Sequence, residues 1–256
     1  MNTKEFFLNT QQNLPLMIIC PGGGYEHLSV READPVAHKF NSLGFHCVIL
    51  HYSLCPSVFP TALLELCQII KYYRQNADTF FIDKNKICLC GFSAGGHLCA
   101  SCGCFWNASF ITEKMQCNSE LYKPNMLLLS YPVISAGEFA HKGSFCNLFN
   151  IKHEDFQSSI FQNVSLEFHI SQTVPPVFIW HTLADDSVPA ENSMLFALEL
   201  KRHNVPFELH LFLEGKHGIS LATKETSRDG GVDIVKECQV WPNLFLNFFN
   251  TYYKEI

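Results

Sequence analysis

Short, almost wholly apolar runs alternate along this chain with longer amphipathic stretches, and that rhythm limits the folds open to it. The runs are LMIIC (16–20), HCVILHY (46–52), KICLCGF (86–92), MLLLSYP (126–132), VFIWHT (177–182) and FELHLFLE (207–214). A strand with one wet face alternates apolar and polar residues, whereas one covered on both faces reads as unbroken Ile, Leu, Val and Phe. Between the runs, ADPVAHKFNSL (33–43), PTALLELCQIIKYYRQN (60–76) and AENSMLFALELKRH (190–203) carry apolar residues at helical spacing. The first ends before Gly44 and the second opens on Pro60, residues suited to a helix end and a helix start. A closing helix is expected over 233–254, with Pro242 as a kink or boundary. The pattern predicts an α/β protein: a mostly parallel central sheet with helices on both faces, as one domain over residues 1–256. Residues 135–172, rich in Phe, His, Ser and Asn, break the rhythm and read as an irregular insert: a lid-like loop, or a cover for the sheet edge.

Composition removes several function classes. A net charge of -6 leaves no basic footprint for nucleic acid. No apolar run is long enough to span a bilayer. MNTKEFFLNTQQN has no apolar core of the signal-peptide kind, so the 12 cysteines are expected as free, mostly buried thiols in a reducing cytoplasm. The cluster Cys99, Cys102 and Cys104 in LCASCGC has no second pair at zinc-site spacing and is read as helix packing; no metal is expected.

The run KICLCGFSAGGH holds GFSAG, a G-x-S-x-G pattern placed where a buried strand should hand over to a helix. That setting makes Ser93 a candidate nucleophile, because a tight strand-to-helix turn pushes the serine Oγ outward beside free helix N–H groups. A serine hydroxyl needs a base. In folds with such an elbow, an acid and then a histidine follow the serine in chain order. WHTLADDSVPAENS places Asp185 and Asp186 just beyond a strand, and EGKHGISLA places His217 in a loop after the last one. All three fall at carboxyl ends of strands, where sites assemble in parallel sheets. Spacing to Val188 and Pro189 favours Asp185 as the acid, with Asp186 left as the alternative. Of the other histidines, His210 belongs to a strand face, His203 to a helix end, His181 to the strand before the acid, and His97 to a local hydrogen bond.

CPGGGYEH follows the first strongly apolar strand. Its glycines allow the N–H groups of Gly23 and Gly24, with that of Ala94, to serve as an oxyanion hole; Tyr25 and His27 beside them are candidate substrate contacts or local packing. PGGGYEH lacks the spacing of a dinucleotide fingerprint and the lysine-hydroxyl ending of a P-loop.

PGGGY, READPVAHKFNSLGFHCVILHYS, FIDKNKICLCGFSAGGHL, VPPVFIWHTLADDSVPAENS and EGKHGISLA together resemble, in order, the small α/β-hydrolase esterases grouped with acetylxylan esterases and other bacterial carbohydrate esterases. The resemblance spans nearly the whole chain. It implies an α/β-hydrolase fold with Ser93, Asp185 and His217 as triad and Gly23, Gly24 and Ala94 as oxyanion donors. It departs at the N-terminus, where the sheet looks trimmed and EFFLN is left as an edge strand. It departs again in 135–172, where only SLEFHISQTVPP is family-like.

The expected activity is therefore hydrolysis of short-chain acyl esters, acetyl foremost, of a carbohydrate or similar small molecule, through an acyl-enzyme and without a cofactor. A peptidase or amidase using the same residues is the alternative within hydrolases, and a catalytically silent binding fold the alternative outside them. The expected partner is the small ester itself, with no nucleic acid or membrane; self-association into a homo-oligomer is left open.

Overall fold

A computed structural model describes residues 2–254. Strands β1 (Thr3–Phe6), β2 (Leu14–Cys20), β3 (His46–Leu50), β4 (Ile82–Phe92), β5 (Met126–Ser130), β6 (Val177–Thr182) and β7 (Phe207–Phe212) form one sheet in the order β1-β3-β2-β4-β5-β6-β7. The edge strand β1 pairs antiparallel with β3, and every other pairing is parallel.

The two-residue period of a strand divides the core into two layers. Leu16 and Ile18 of β2, Leu89 of β4, Leu129 of β5 and Ile179 of β6 face one side. There they meet α2 (Thr61–Gln75), α4 (Ala94–Phe105) and α7 (Glu191–Arg202) through residues such as Leu66, Cys99 and Phe196. Met17, Ile19, Cys90, Leu128 and Trp180 face the other side, against α1 (Asp34–Ser42) and α8 (Trp241–Lys254). Trp180 stacks on Trp241 with ring centroids 5.4 Å apart. Residues of β3, β5 and β6 are buried throughout, which is why these strands read as unbroken apolar runs.

Two expected bounds shift, and 135–172 holds some short regular structure. The closing helix begins at Trp241, after a 3-10 turn over Lys236–Val240, and Pro242 marks its boundary, in the first turn where no N–H is needed. Residues 135–172 hold α6 (Lys142–Phe149) and 3-10 turns at His153–Asp155, Ser158–Val164 and Leu166–Phe168, anchored by the buried rings of Phe145 and Phe161. Turns this short show no period in sequence. The edge strand lies over Thr3–Phe6 rather than EFFLN. Two short helices, α3 (Ala77–Phe80) and α5 (Ser109–Met115), carry no sequence signal; α5 buries only Ile111. No helix among the described residues is long and apolar enough to cross a membrane.

Parallel pairing brings the carboxyl ends of β2, β4, β6 and β7 to one edge of the sheet. The glycine loop, Ser93, Asp185 and His217 all follow those ends.

Candidate active site

Ser93 occupies the turn between β4 and α4 with φ 53 and ψ -117, a conformation that L-residues rarely adopt. Its N–H donates to Ser130 O (3.0 Å), and its carbonyl accepts from the N–H groups of His97 and Val133, both at 3.1 Å. The turn is tight because glycines flank it. A β-carbon on Gly91 would lie 2.3 Å from Gly95 O, and one on Gly95 would lie 2.0 Å from Cys20 O. Strand, helix and the end of β2 therefore touch backbone to backbone.

His217 Nε2 stands 2.8 Å from Ser93 Oγ, and Nδ1 stands 2.7 Å from Asp185 Oδ2. A carboxylate only accepts, so Nδ1–H donates to Asp185 and Nε2 is left to accept the Ser93 proton. Asp185 Oδ1 accepts from the N–H groups of Ser187 (3.0 Å) and Val188 (2.9 Å). Asp186 is exposed, with its carboxylate toward Ser187, so Asp185 is the carboxylate that meets His217.

Burial disfavours an ionised Asp185, but hydrogen bonds from His181 and His217 outweigh it and hold the carboxyl well below the usual range. His181, wholly buried, was read from sequence as a plain strand residue. Its Nε2 lies 2.9 Å from Val188 O and 3.2 Å from Asp185 Oδ2, so it carries the proton and donates toward both. Nδ1 then accepts from Ser193 Oγ at 2.7 Å. The side chain braces the acid from below, a role visible only once the loop folds back on the strand.

The glycine loop runs beside Ser93: a β-carbon on Gly22 would lie 3.0 Å from Ser93 Cβ. Gly22 N–H donates to the buried Glu32 (2.8 Å), whereas Gly23 and Gly24 N–H have no protein acceptor among the described residues. Gly23, at φ +128, needs the conformational freedom of glycine. Ala94, the first residue of α4, is one of the helix N–H groups without an intrahelical partner.

Tyr25 turns inward, 3% exposed, and donates to His97 Nδ1 at 2.9 Å. His97 Nε2 donates in turn to Val164 O at 2.9 Å, and burial pushes the imidazole down to about 4. Of the two readings for Tyr25, this geometry is local packing; His27 is exposed. Cys99, Cys102 and Cys104 are buried within α4, where desolvation pushes their thiols up and keeps them protonated.

Sequence reasoning missed Arg31 and Glu32. Glu32 Oε1 accepts from Tyr131 OH (2.7 Å), whose ring meets the His217 ring edge-on at 5.1 Å. Arg31 Nη1 donates to Gly218 O (2.9 Å) and Thr226 O (3.0 Å), in the loop carrying His217. The charged pair RE between a glycine loop and a helix start was the available signal.

The BD-FAE family model matches residues 6–200. The chain belongs to the BD-FAE family. Among similar proteins, this BD-FAE chain is 32% identical to endo-1,4-beta-xylanase B of Butyrivibrio fibrisolvens, over 88% of its own length and 35% of the relative's. It is 25% identical to an acetylxylan esterase of Xylanibacter ruminicola, over 86% of the chain and 47% of that protein. The chain thus spans less than half the length of these two curated relatives. A solved acetyl ester-xyloside bifunctional hydrolase from Caldicellulosiruptor lactoaceticus superposes with TM-score 0.84 and 34% identity, covering 98% of this chain and 87% of that one. A carboxylesterase from Lactobacillus plantarum superposes with TM-score 0.83 and 28% identity, covering 98% and 92%. The BD-FAE chain has the α/β-hydrolase fold, with its seven-stranded, mostly parallel sheet.

Proposed function

We propose that this chain is a serine esterase that removes short acyl groups, acetyl foremost, from hydroxyls of a carbohydrate or similar small alcohol. The observation that carries the reading is the continuous Ser93–His217–Asp185 relay, at 2.8 and 2.7 Å, on a strained strand-to-helix turn. The names of its relatives support the ester class and point to acetyl esters, acetylated xylan among them.

Ser93 Oγ attacks the acyl carbon while its proton passes to His217 Nε2. Asp185 stays ionised, holds the imidazole tautomer and stabilises the imidazolium. The developing oxyanion takes hydrogen bonds from the N–H groups of Gly23, Gly24 and Ala94, each worth ~3 kcal/mol in comparable sites. The bond to the alcohol oxygen breaks as His217 returns the proton to it, leaving an acyl-Ser93. Water, deprotonated by the same imidazole, cleaves that ester and frees the acid. Besides the ester and water, these steps draw on side chains and backbone of the chain itself.

Ser93→Ala should fold with unchanged circular dichroism and lose at least ~10³-fold in kcat/KM on p-nitrophenyl acetate. Retained turnover within about tenfold of the native enzyme would exclude Ser93 as nucleophile. An aminoacyl p-nitroanilide run alongside separates an esterase from a peptidase: the native enzyme should prefer the ester.

A further inference from the structure

The segment containing α6 packs against the glycine loop that runs beside the relay. His141 immediately precedes α6 and caps it through its side chain. Ser144 N–H donates to His141 Nδ1 at 3.3 Å, and Ser144 Oγ stands 2.8 Å from the same atom. An N–H donor can meet only an unprotonated ring nitrogen, so the proton of the neutral imidazole sits on Nε2. Among the described residues, Nε2 has no protein partner. Burial and the nearby His217 hold the imidazole below its ordinary pKa, against the pull of Asp185, so the ring is neutral at pH 7.

The first turns of α6 lie against the glycine loop. Asn147 Nδ2 donates to Gly24 O at 2.9 Å, and Ser144 Oγ lies 3.9 Å from where a β-carbon on Gly24 would be. His141 stands one turn before Ser144, half-buried and within electrostatic reach of both His217 and Asp185. A neutral N–H donor with its tautomer fixed by a helix cap, next to the glycine loop, is suited to a neutral hydroxyl or ring oxygen. A carboxylate ligand would favour a cation in its place.

We infer that His141 is a substrate-binding residue whose Nε2–H donates to an oxygen of the leaving sugar alcohol, and so selects polyhydroxylated alcohols over plain ones. The inference rests on the esterase reading and adds to it the residue that recognises the alcohol. It also gives the segment 135–172 a role: α6 carries the recognition group to the site while its aromatic residues hold the segment down.

The test crosses one substitution with one substrate change. His141→Asn keeps an N-cap acceptor for Ser144 N–H but is too short to present the distal donor. Native and variant enzymes are compared on an acetylated xylo-oligosaccharide and on cyclohexyl acetate, whose alcohol has no other oxygen. The ratio of kcat/KM for the sugar ester to that for cyclohexyl acetate should fall about tenfold in the variant, chiefly through KM on the sugar ester. An unchanged ratio, whether both activities drop together or neither drops, overturns the inference, since a structural cap or an oxyanion contact affects both esters alike. Failure of the esterase reading is distinguishable, because the native enzyme would then hydrolyse neither ester.

Discussion

Asp185 is held by more residues than the relay requires, and its buried neighbour His181 makes the difference measurable. His181→Phe fills the same space but leaves Ser193 Oγ and Val188 O without their partner, a cost of about 1–3 kcal/mol. It also removes one of the two histidine hydrogen bonds that lower the Asp185 pKa. A carboxyl whose folded pKa is depressed contributes stability above its unfolded pKa of about 4, and loses it as pH falls through the folded value. With a smaller depression in the variant, its stability deficit should be full above the ordinary carboxyl pKa of about 4 and shrink below it, as pH falls through the variant's folded pKa toward the lower native one. Urea unfolding across that range measures it. A deficit that stays constant with pH would mean that the His181–Asp185 contact contributes none of the stabilisation.

The elements around Ser93 are fixed by backbone contact, and glycine substitutions on α4 separate that contact from ordinary packing. A β-carbon on Gly95 meets Cys20 O at 2.0 Å and Pro21 O at 2.6 Å, so the end of β2 and the glycine loop after it must move. One on Gly103 meets the tip of Leu127 at 2.6 Å, which can turn aside. Gly95→Ala should therefore cost about 3 kcal/mol and most of the turnover of p-nitrophenyl acetate expected under the proposed function, whereas Gly103→Ala should cost about 1 kcal/mol and leave that turnover near native. Thermal melts with p-nitrophenyl acetate assays decide; equal behaviour of the two would mean that close approach at the elbow is not what limits α4. Such contacts also explain what was legible beforehand. The turn at Ser93 was legible because the glycines that permit it lie within the same pentapeptide, and β3, β5 and β6 because burial on both faces writes unbroken apolar runs. Asp185 could be named only with Asp186 beside it, since neighbouring carboxylates differ in the direction the loop points them. His181, Glu32 and His141 were not legible as site residues. Glu32 acts on Tyr131 in a distant segment, His181 meets its partners only where the next loop folds back, and α6, which places His141, is too short to show a period.

At the scale of the molecule, two strand-end loops that never pair through the sheet are tied together beneath the site. Arg31, after the glycine loop, reaches Gly218 O, Thr226 O and the wholly buried Asp233 (3.3 Å). Arg228 closes on the same carboxylate at 2.6 Å and on His217 O at 3.3 Å. Burial opposes ionisation of Asp233, but its bonds to Arg228 hold it below the usual carboxylate range. Arg228 is half exposed, so solvent screens that pair; the value of the cluster lies in spanning 202 positions between Arg31 and Asp233. Asp233→Asn keeps the size of the side chain and removes the charge that both guanidiniums share. The expected cost is about 1–2 kcal/mol, a fall of roughly 2–8 °C in Tm for a chain of this length. The loosened His217 loop should lower kcat on p-nitrophenyl acetate several-fold at temperatures where the variant is fully folded, with KM little changed. A lower Tm with native kcat would show that the cluster stabilises the fold without setting the position of His217; loss of both places the alignment of the relay under control of residues on either side of the sheet edge.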